Sequence, residues 1–168
     1  MFGKRKQLDN QQFDALAITL ASVSFFDGFS PAELNRVAQL ATEVEAEKGA
    51  LLIDQGRVGT ECFVILEGEA GVYFGGEHIA TIGPGTMVGE MALVEHRPRN
   101  ASVIAETPMT LVAFDMQAFK TLLQEMPEVH RRVMATLVER VSRNAGTRPS
   151  GSDQDPDEPA SEDLGPGS

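Results

Sequence analysis

Apolar residues recur at helical spacing near the start of the chain, at Phe13, Leu16, Ala17, Leu20 and Val23. That spacing predicts an amphipathic helix over roughly Asn10 to Val23. Phe25, Phe26 and Phe29 follow in a turn and read as core anchors. Ser30-Pro31-Ala32-Glu33 marks a second helix start: a hydroxyl cap, proline in the first helical position, and Glu three residues after the cap. Leu34, Val37, Ala38 and Ala41 supply its buried face. From Thr42 to Asp115 the rhythm shifts to short apolar or alternating runs. They are Thr42–Glu47, Leu51–Ile53, Cys62–Leu66, Ala70–Phe74, His78–Ile82, Ala101–Ala105 and Met109–Asp115. Ten of the 16 glycines fall between positions 49 and 89 and punctuate these runs, which predicts a sandwich or jelly roll of short strands. Helical spacing then returns. Phe119, Leu122, Leu123 and Met126 line a helix capped by Asp115. Pro127 opens another, with Val129, Val133, Met134, Leu137, Val138 and Val141 apolar, running to about Asn144, where Gly146 and Pro149 stop it.

One stretch, Val88 to Val103, carries candidate chemistry: V-G-E-M-A-L-V-E-H-R-P-R-N-A-S-V. Gly89 lets the backbone approach a ligand closely. Glu90 to Val94 can form one helical turn whose unpaired N–H groups favour an anion. Arg99 offers a planar fork of donors suited to phosphate. Ionised Glu90 only accepts hydrogen bonds, so it suits a sugar hydroxyl. An anion cradle, a hydroxyl acceptor and an arginine this close together describe a nucleotide with a ribose and an exposed phosphate.

The stretch resembles the phosphate-binding cassette of the cyclic nucleotide-binding domain family. The family pattern runs F-G-E-L/I-A-L, a short tip, then P-R-x-A-S/T-V. Gly89, Glu90, Met91, Ala92, Leu93, Pro98, Arg99, Ala101, Ser102 and Val103 fit, with Val88 in place of the usual aromatic. The segment from Gly56 to Ala70 resembles the family pattern G-D-x-G-D-x-x-Y/F-x-I/V-x-x-G, with Arg57 and Thr60 replacing acids. The resemblance implies that Glu90 takes the ribose 2′-hydroxyl, that Arg99 and the Ala92 amide take the cyclic phosphate, and that Val72 packs on the purine. It implies a lid in the C-terminal helix, for which Val133, Leu137 and Val141 are the candidates. Asn100, next to the phosphate arginine, either influences the choice between cAMP and cGMP or braces the tip loop. The expected fold is mainly β with flanking α-helices: a β-roll or jelly roll of about eight short strands, with N-terminal helices and two C-terminal helices. The expected division is an N-terminal helical extension over 1–24, the nucleotide-binding domain with its lid over 25–145, and a disordered acidic tail over 146–168.

Charge narrows the choice of partner. The chain of 168 residues has a formal charge of −11. Six acids and no Lys or Arg lie between Pro149 and Ser168, which leaves −5 over the rest. Neither part resembles the basic footprint of a DNA-binding protein. A helix-turn-helix, present in Crp/Fnr-type regulators of this family, finds no room after Asn144 in an acidic tail. The Thr-Ser pair with which those regulators reach the adenine would fall near Asn144-Ala145 and is absent. A single cysteine, Cys62, fits a reducing cytoplasm and a core position. The apolar stretch Ala15 to Phe26 is too short and too polar to span a membrane, and three cations at Lys4 to Lys6 are a weak surface anchor. His78, His96 and His130 show no metal-ligand spacing, and no nucleophile motif or phosphate-binding glycine loop with lysine occurs. We therefore expect no catalysis, no metal and no cofactor. The expected ligand is cAMP, with cGMP as its alternative, and the expected partners are an unidentified protein or a second copy of the chain as a homodimer. A Crp/Fnr-type transcriptional regulator and an interaction domain without a ligand remain the alternatives.

Overall fold

The computed structural model describes residues 3–56, 60–90 and 101–147, with side chains up to Glu139. Nine strands and four helices follow one another in it: β1 (Lys4–Lys6), α1 (Asn10–Leu20), a 3-10 turn (Ser24–Phe26), α2 (Pro31–Ala38), β2 (Thr42–Ala46), β3 (Leu51–Ile53), β4 (Glu61–Glu67), β5 (Ala70–Phe74), β6 (Glu77–Ile82), β7 (Met87–Val88), β8 (Ser102–Ala105), β9 (Met109–Asp115), α3 (Met116–Gln124) and α4 (Pro127–Thr147). The strands form two antiparallel sheets, ordered β1-β2-β9-β4-β7 and β3-β8-β5-β6. This is the expected mainly β roll with flanking helices.

The central strands explain the packing. Side chains alternate across a strand, and in β4 both sets are apolar. Phe63 and Ile65 face the second sheet, where they join Val44, Leu111, Val72 and Val103 in the core between the sheets. Cys62 and Val64 face the other way and join Val112, Phe114 and the helices in a second core. Strand β9 divides likewise, with Leu111 and Ala113 on one side and Val112 and Phe114 on the other. Strands buried on both faces lose alternation and read as continuous apolar runs, as C-F-V-I-L and L-V-A-F do here. The helical core is built on Phe26, which meets Phe25 and Phe29 edge-on at 5.2 Å each and packs on Phe119 at 6.3 Å.

Both helix starts foreseen from capping residues are present. Ser30 accepts from the Glu33 amide and Glu33 reaches back to the Ser30 amide, while Asp115 accepts from the Ala118 amide at 2.9 Å. Asp9 and Gln12 form a further capping box on α1. Three local expectations differ. Helix α1 stops at Leu20, and Val23 enters the core from the following turn. Strand β1 is polar and has no apolar pattern; it exists through pairing, with Lys4 opposite Glu45 and Lys6 opposite Glu43. Arg5 reaches over the sheet to Glu61 through paired contacts of 2.7 and 2.8 Å. That hydrogen bonding, followed by the charge of Glu61 against the cost of burial, raises the Arg5 pKa. Helix α4 runs three residues past Asn144 and includes Gly146. A single glycine costs a helix only about 1 kcal/mol, so it does not by itself end one. Within the segment expected as an extension, the described residues 3–24 share a sheet and a core with the roll: β1 pairs with β2, and Leu16 and Leu20 are buried in the core with α2, α3 and the strands. Residues 148–168 of the expected acidic tail lie outside the described residues. No helix among the described residues is long and apolar enough to cross a membrane.

Strand β5 places Tyr73 on the face opposite Val72. Its phenol donates to Glu106 Oε2 at 3.1 Å, and His78 Nε2 lies 3.2 Å from the same oxygen. The hydrogen bond to Glu106 raises the Tyr73 pKa, with burial and the charge of Glu106 adding to it.

Two predictions follow from these contacts. Replacing Ser30 with Ala removes a cap and should cost about 1 kcal/mol; urea unfolding should show a lower midpoint with an unchanged slope. For Tyr73, a raised pKa means that the stabilisation is complete below the unfolded-state value and is lost as pH rises through the folded one. Tyr73 is the one tyrosine of a chain without tryptophan, so ultraviolet absorbance reports it alone. Its midpoint should lie above the ordinary value of about 10, and Glu106→Ala should return it there.

Candidate functional site

The site lies at one end of the core between the sheets, where β5, β7 and β8 approach one another. Val72 of β5 is directly opposite Val103 of β8, and Val88 of β7 is opposite Phe63 of β4. Between them is a cavity of about 130 Å³, lined by Ile53, Val72, Ile82, Thr86, Met87, Val88, Gly89, Glu90, Ala101 and Val103. Val72, Ala101 and Val103 are buried, so the wall is mostly aliphatic and rigid.

The chain leaves β7 through Gly89, whose φ is +89°. An L-residue with a Cβ resists this left-handed geometry, which is why glycine stands there. Glu90 follows immediately and is 5% exposed, the sole buried acidic or polar side chain among the described residues. An ionised carboxylate taken from water is costly unless it is hydrogen-bonded, and Glu90 does have an interaction partner. A carboxylate fixed in an aliphatic pocket is a hydrogen-bond acceptor positioned in advance for a ligand donor.

The structure brings five residues anticipated from sequence together around this cavity: Val72, Val88, Gly89, Glu90 and Ala101. Met91, Ala92, Arg99 and Asn100 lie outside the described residues. The lid candidates lie elsewhere. Val133 and Leu137 are 5% and 0% exposed in the helical core, with Phe26 and Phe119, and do not line the cavity. Their apolar row is taken up by packing on the N-terminal helices and α3. Val141 lies in α4, beyond the described side chains. Ile53, Ile82, Thr86, Met87 and Val103 line the cavity without having been singled out from sequence as site residues. Val103 could have been found by register, since it pairs with Val72. Thr86 follows the glycine-rich turn and Met87 opens the two-residue β7, with no periodicity to place either. Among the described residues no group of three or more His, Cys, Asp or Glu is placed to hold a metal ion.

The sequence profile of the cyclic nucleotide-binding domain matches residues 43–126, half of the chain. Strands β3 to β9, all of β2 but Thr42, and all the cavity-lining residues fall within that match. The chain is 35% identical over 108 residues to a Pycsar effector protein of Xanthomonas perforans, covering 64% of this chain and 36% of that one. It is 30% identical over 132 residues to the cAMP-dependent protein kinase type II regulatory subunit of Drosophila melanogaster, covering 79% and 35%. It spans about a third of the length of both relatives. Among solved structures, the sensor domain of the transcriptional regulator DNR from Pseudomonas aeruginosa superposes with a TM-score of 0.70 at 19% identity, covering 85% of this chain and 99% of that one. That likeness bears on the fold alone. With the profile match falling on the roll and on its cavity, the chain belongs to the cyclic nucleotide-binding domain family.

Proposed function

We propose that this chain is a cyclic nucleotide sensor that binds cAMP in preference to cGMP and acts by changing its contact with a protein partner. The observation that carries the reading is the buried carboxylate of Glu90, set beside Gly89 in an aliphatic pocket. Glu90 accepts the ribose 2′-hydroxyl, Val72 packs on the purine, and Val88, Gly89 and Ala101 shape the wall. Arg99 and the amides of Met91 and Ala92 hold the cyclic phosphate, while Asn100 meets the base or braces the loop. At about 130 Å³ the cavity is smaller than the few hundred Å³ of an ordinary ligand pocket. In this reading the cassette residues 91–100 complete it. The drosophilid relative is named for cAMP dependence, which supports that ligand. The proposed activity is binding without catalysis, and its output passes to a protein, with a second copy of the chain as the alternative and DNA disfavoured by the acidic charge.

Removing Arg99 tests the phosphate contact. Arg99→Ala should leave the fold intact and lower cAMP affinity at least tenfold, since losing one side of a buried charged pair costs ~2–5 kcal/mol. Calorimetry on the folded variant and its parent decides; equal affinities would remove Arg99 from the site.

Helix α4 supplies the next prediction. Its first turns are already docked through Val129, Val133 and Leu137, whereas Val138 is 56% exposed. A lid in this helix therefore acts through its later turns. Amides beyond Leu137 should gain exchange protection on saturation with cAMP, while those of Val129 to Leu137 should change little. Unchanged exchange along the whole of α4 would make it a fixed structural helix.

A further inference from the structure

Helices α1 and α2 leave a groove of about 390 Å³ between them. Its floor is buried, with Ala17 8% and Leu34 4% exposed, and Ala21 and Pro31 extend its apolar wall. Ile18 stands on its rim at 77% exposure, the most exposed large apolar side chain among the described residues. Single exposed apolar residues are common on protein surfaces. An isoleucine beside an apolar groove with a polar end of fixed geometry is a different arrangement, and the polar end is what gives it a direction.

Asp14 lies one helical turn before Ile18 on the same face of α1. Its Oδ1 accepts from Asn35 Nδ2 at 2.7 Å, and Asn35 Oδ1 in turn accepts from Gln39 Nε2 at 2.7 Å. This chain of side chains holds the carboxylate at the end of the groove. No lining residue is cationic. The adjacent Arg36 is paired with Glu125 of the segment joining α3 to α4. The groove thus has an apolar floor, an apolar rim and one negative end.

We infer that this groove docks a cationic amphipathic helix of another protein, which inserts an apolar side chain over Ala17 and Leu34 and sets a Lys or Arg on Asp14. Helices dock in grooves through apolar residues three and four apart, and Pro31 and Leu34, three apart, offer an apolar pair on the receiving side. Charge selects the occupant. With −11 on the whole chain, a basic partner is steered in and an acidic one repelled. The chain's own acidic stretch from Pro149 to Ser168 has the wrong sign for Asp14, as does a second copy presenting the same face. The proposal rests on the reading that output passes to a protein, and it locates that output on the α1–α2 face.

The test is a titration of the full chain, isotopically labelled and without nucleotide, with a short helical peptide of leucines on one face and lysines on the other, observed by NMR. A scrambled peptide of the same composition is the control. Shifts should concentrate at Ala17, Ile18, Ala21 and Leu34, and the scrambled peptide should bind at least about tenfold more weakly. Ile18→Asp, at an exposed position, should keep the fold and lose a similar factor although it adds a negative charge. Asp14→Asn should weaken docking and reduce its salt dependence. Equal binding of both peptides, or undiminished binding by Ile18→Asp, would show diffuse attraction to an acidic surface and overturn the proposal. Self-association abolished by Ile18→Asp would give the face to a second copy and overturn it equally. Because the titration contains no nucleotide, docking by a chain that binds no cyclic nucleotide would contradict the proposed function while leaving this inference standing.

Discussion

Strands β4 and β9 have no solvent face, and the whole molecule depends on how their side chains are divided. Phe63, Ile65, Leu111 and Ala113 close the space between the sheets, while Cys62, Val64, Val112 and Phe114 form the seat for the helices. A one-residue slip between the two strands would exchange these sets and spoil both cores together, so their register is firmly specified. The register runs from Glu61 opposite Asp115 to Glu67 opposite Thr110, with a bulge between Ile65 and Glu67. The cavity beside Glu90 and the helical core are therefore built on opposite sides of one wall. Val88 joins that wall by pairing with Phe63, and Gly89 and Glu90 are the next two residues of the chain.

Where local chemistry dictates structure, the sequence shows it. Ser30 with Pro31 and Glu33 starts α2 at the expected residue, Asp115 caps α3, and the runs Leu51–Ile53, Ala70–Phe74 and Met109–Asp115 are strands within those bounds. What escaped notice is tertiary in origin. Strand β1 reads K-R-K and is held by its pairing with β2 and by the Arg5–Glu61 contact, neither of which leaves a periodic trace. Strand β7 has two residues, too few for alternation to register, and it ends at the first residue of the cassette. Turn glycines were easier to place than to explain. Gly68, at φ +94°, would put a Cβ 2.5 Å from the Pro108 carbonyl oxygen, so the turn between β4 and β5 is set by a loop forty residues away.

Cassette chemistry is local, a glycine, an acid and an arginine at fixed spacing, so the sequence alone nominates Gly89, Glu90 and Arg99 as candidates; Arg99 lies outside the described residues. The structure adds that Val72, from a distant strand, and Ala101 share one cavity with Gly89 and Glu90. The lid is a different matter. An apolar stripe on a helix states that it packs but not against what, and Val133 and Leu137 pack in the helical core. The first half of α4 is thereby tied to Phe26 and Phe119.

The central claim is that a carboxylate buried beside Gly89 is a receptor for a cyclic nucleotide. The most direct measurement is the melting temperature of the chain in the presence of cAMP, cGMP and linear AMP. Ligand at 100 times its dissociation constant should add about 2.7 kcal/mol to stability. A receptor of this kind should give a saturable upward shift with cAMP, a smaller one with cGMP at equal concentration, and none with AMP. No shift with either cyclic nucleotide, or an equal shift with AMP, would contradict the claim.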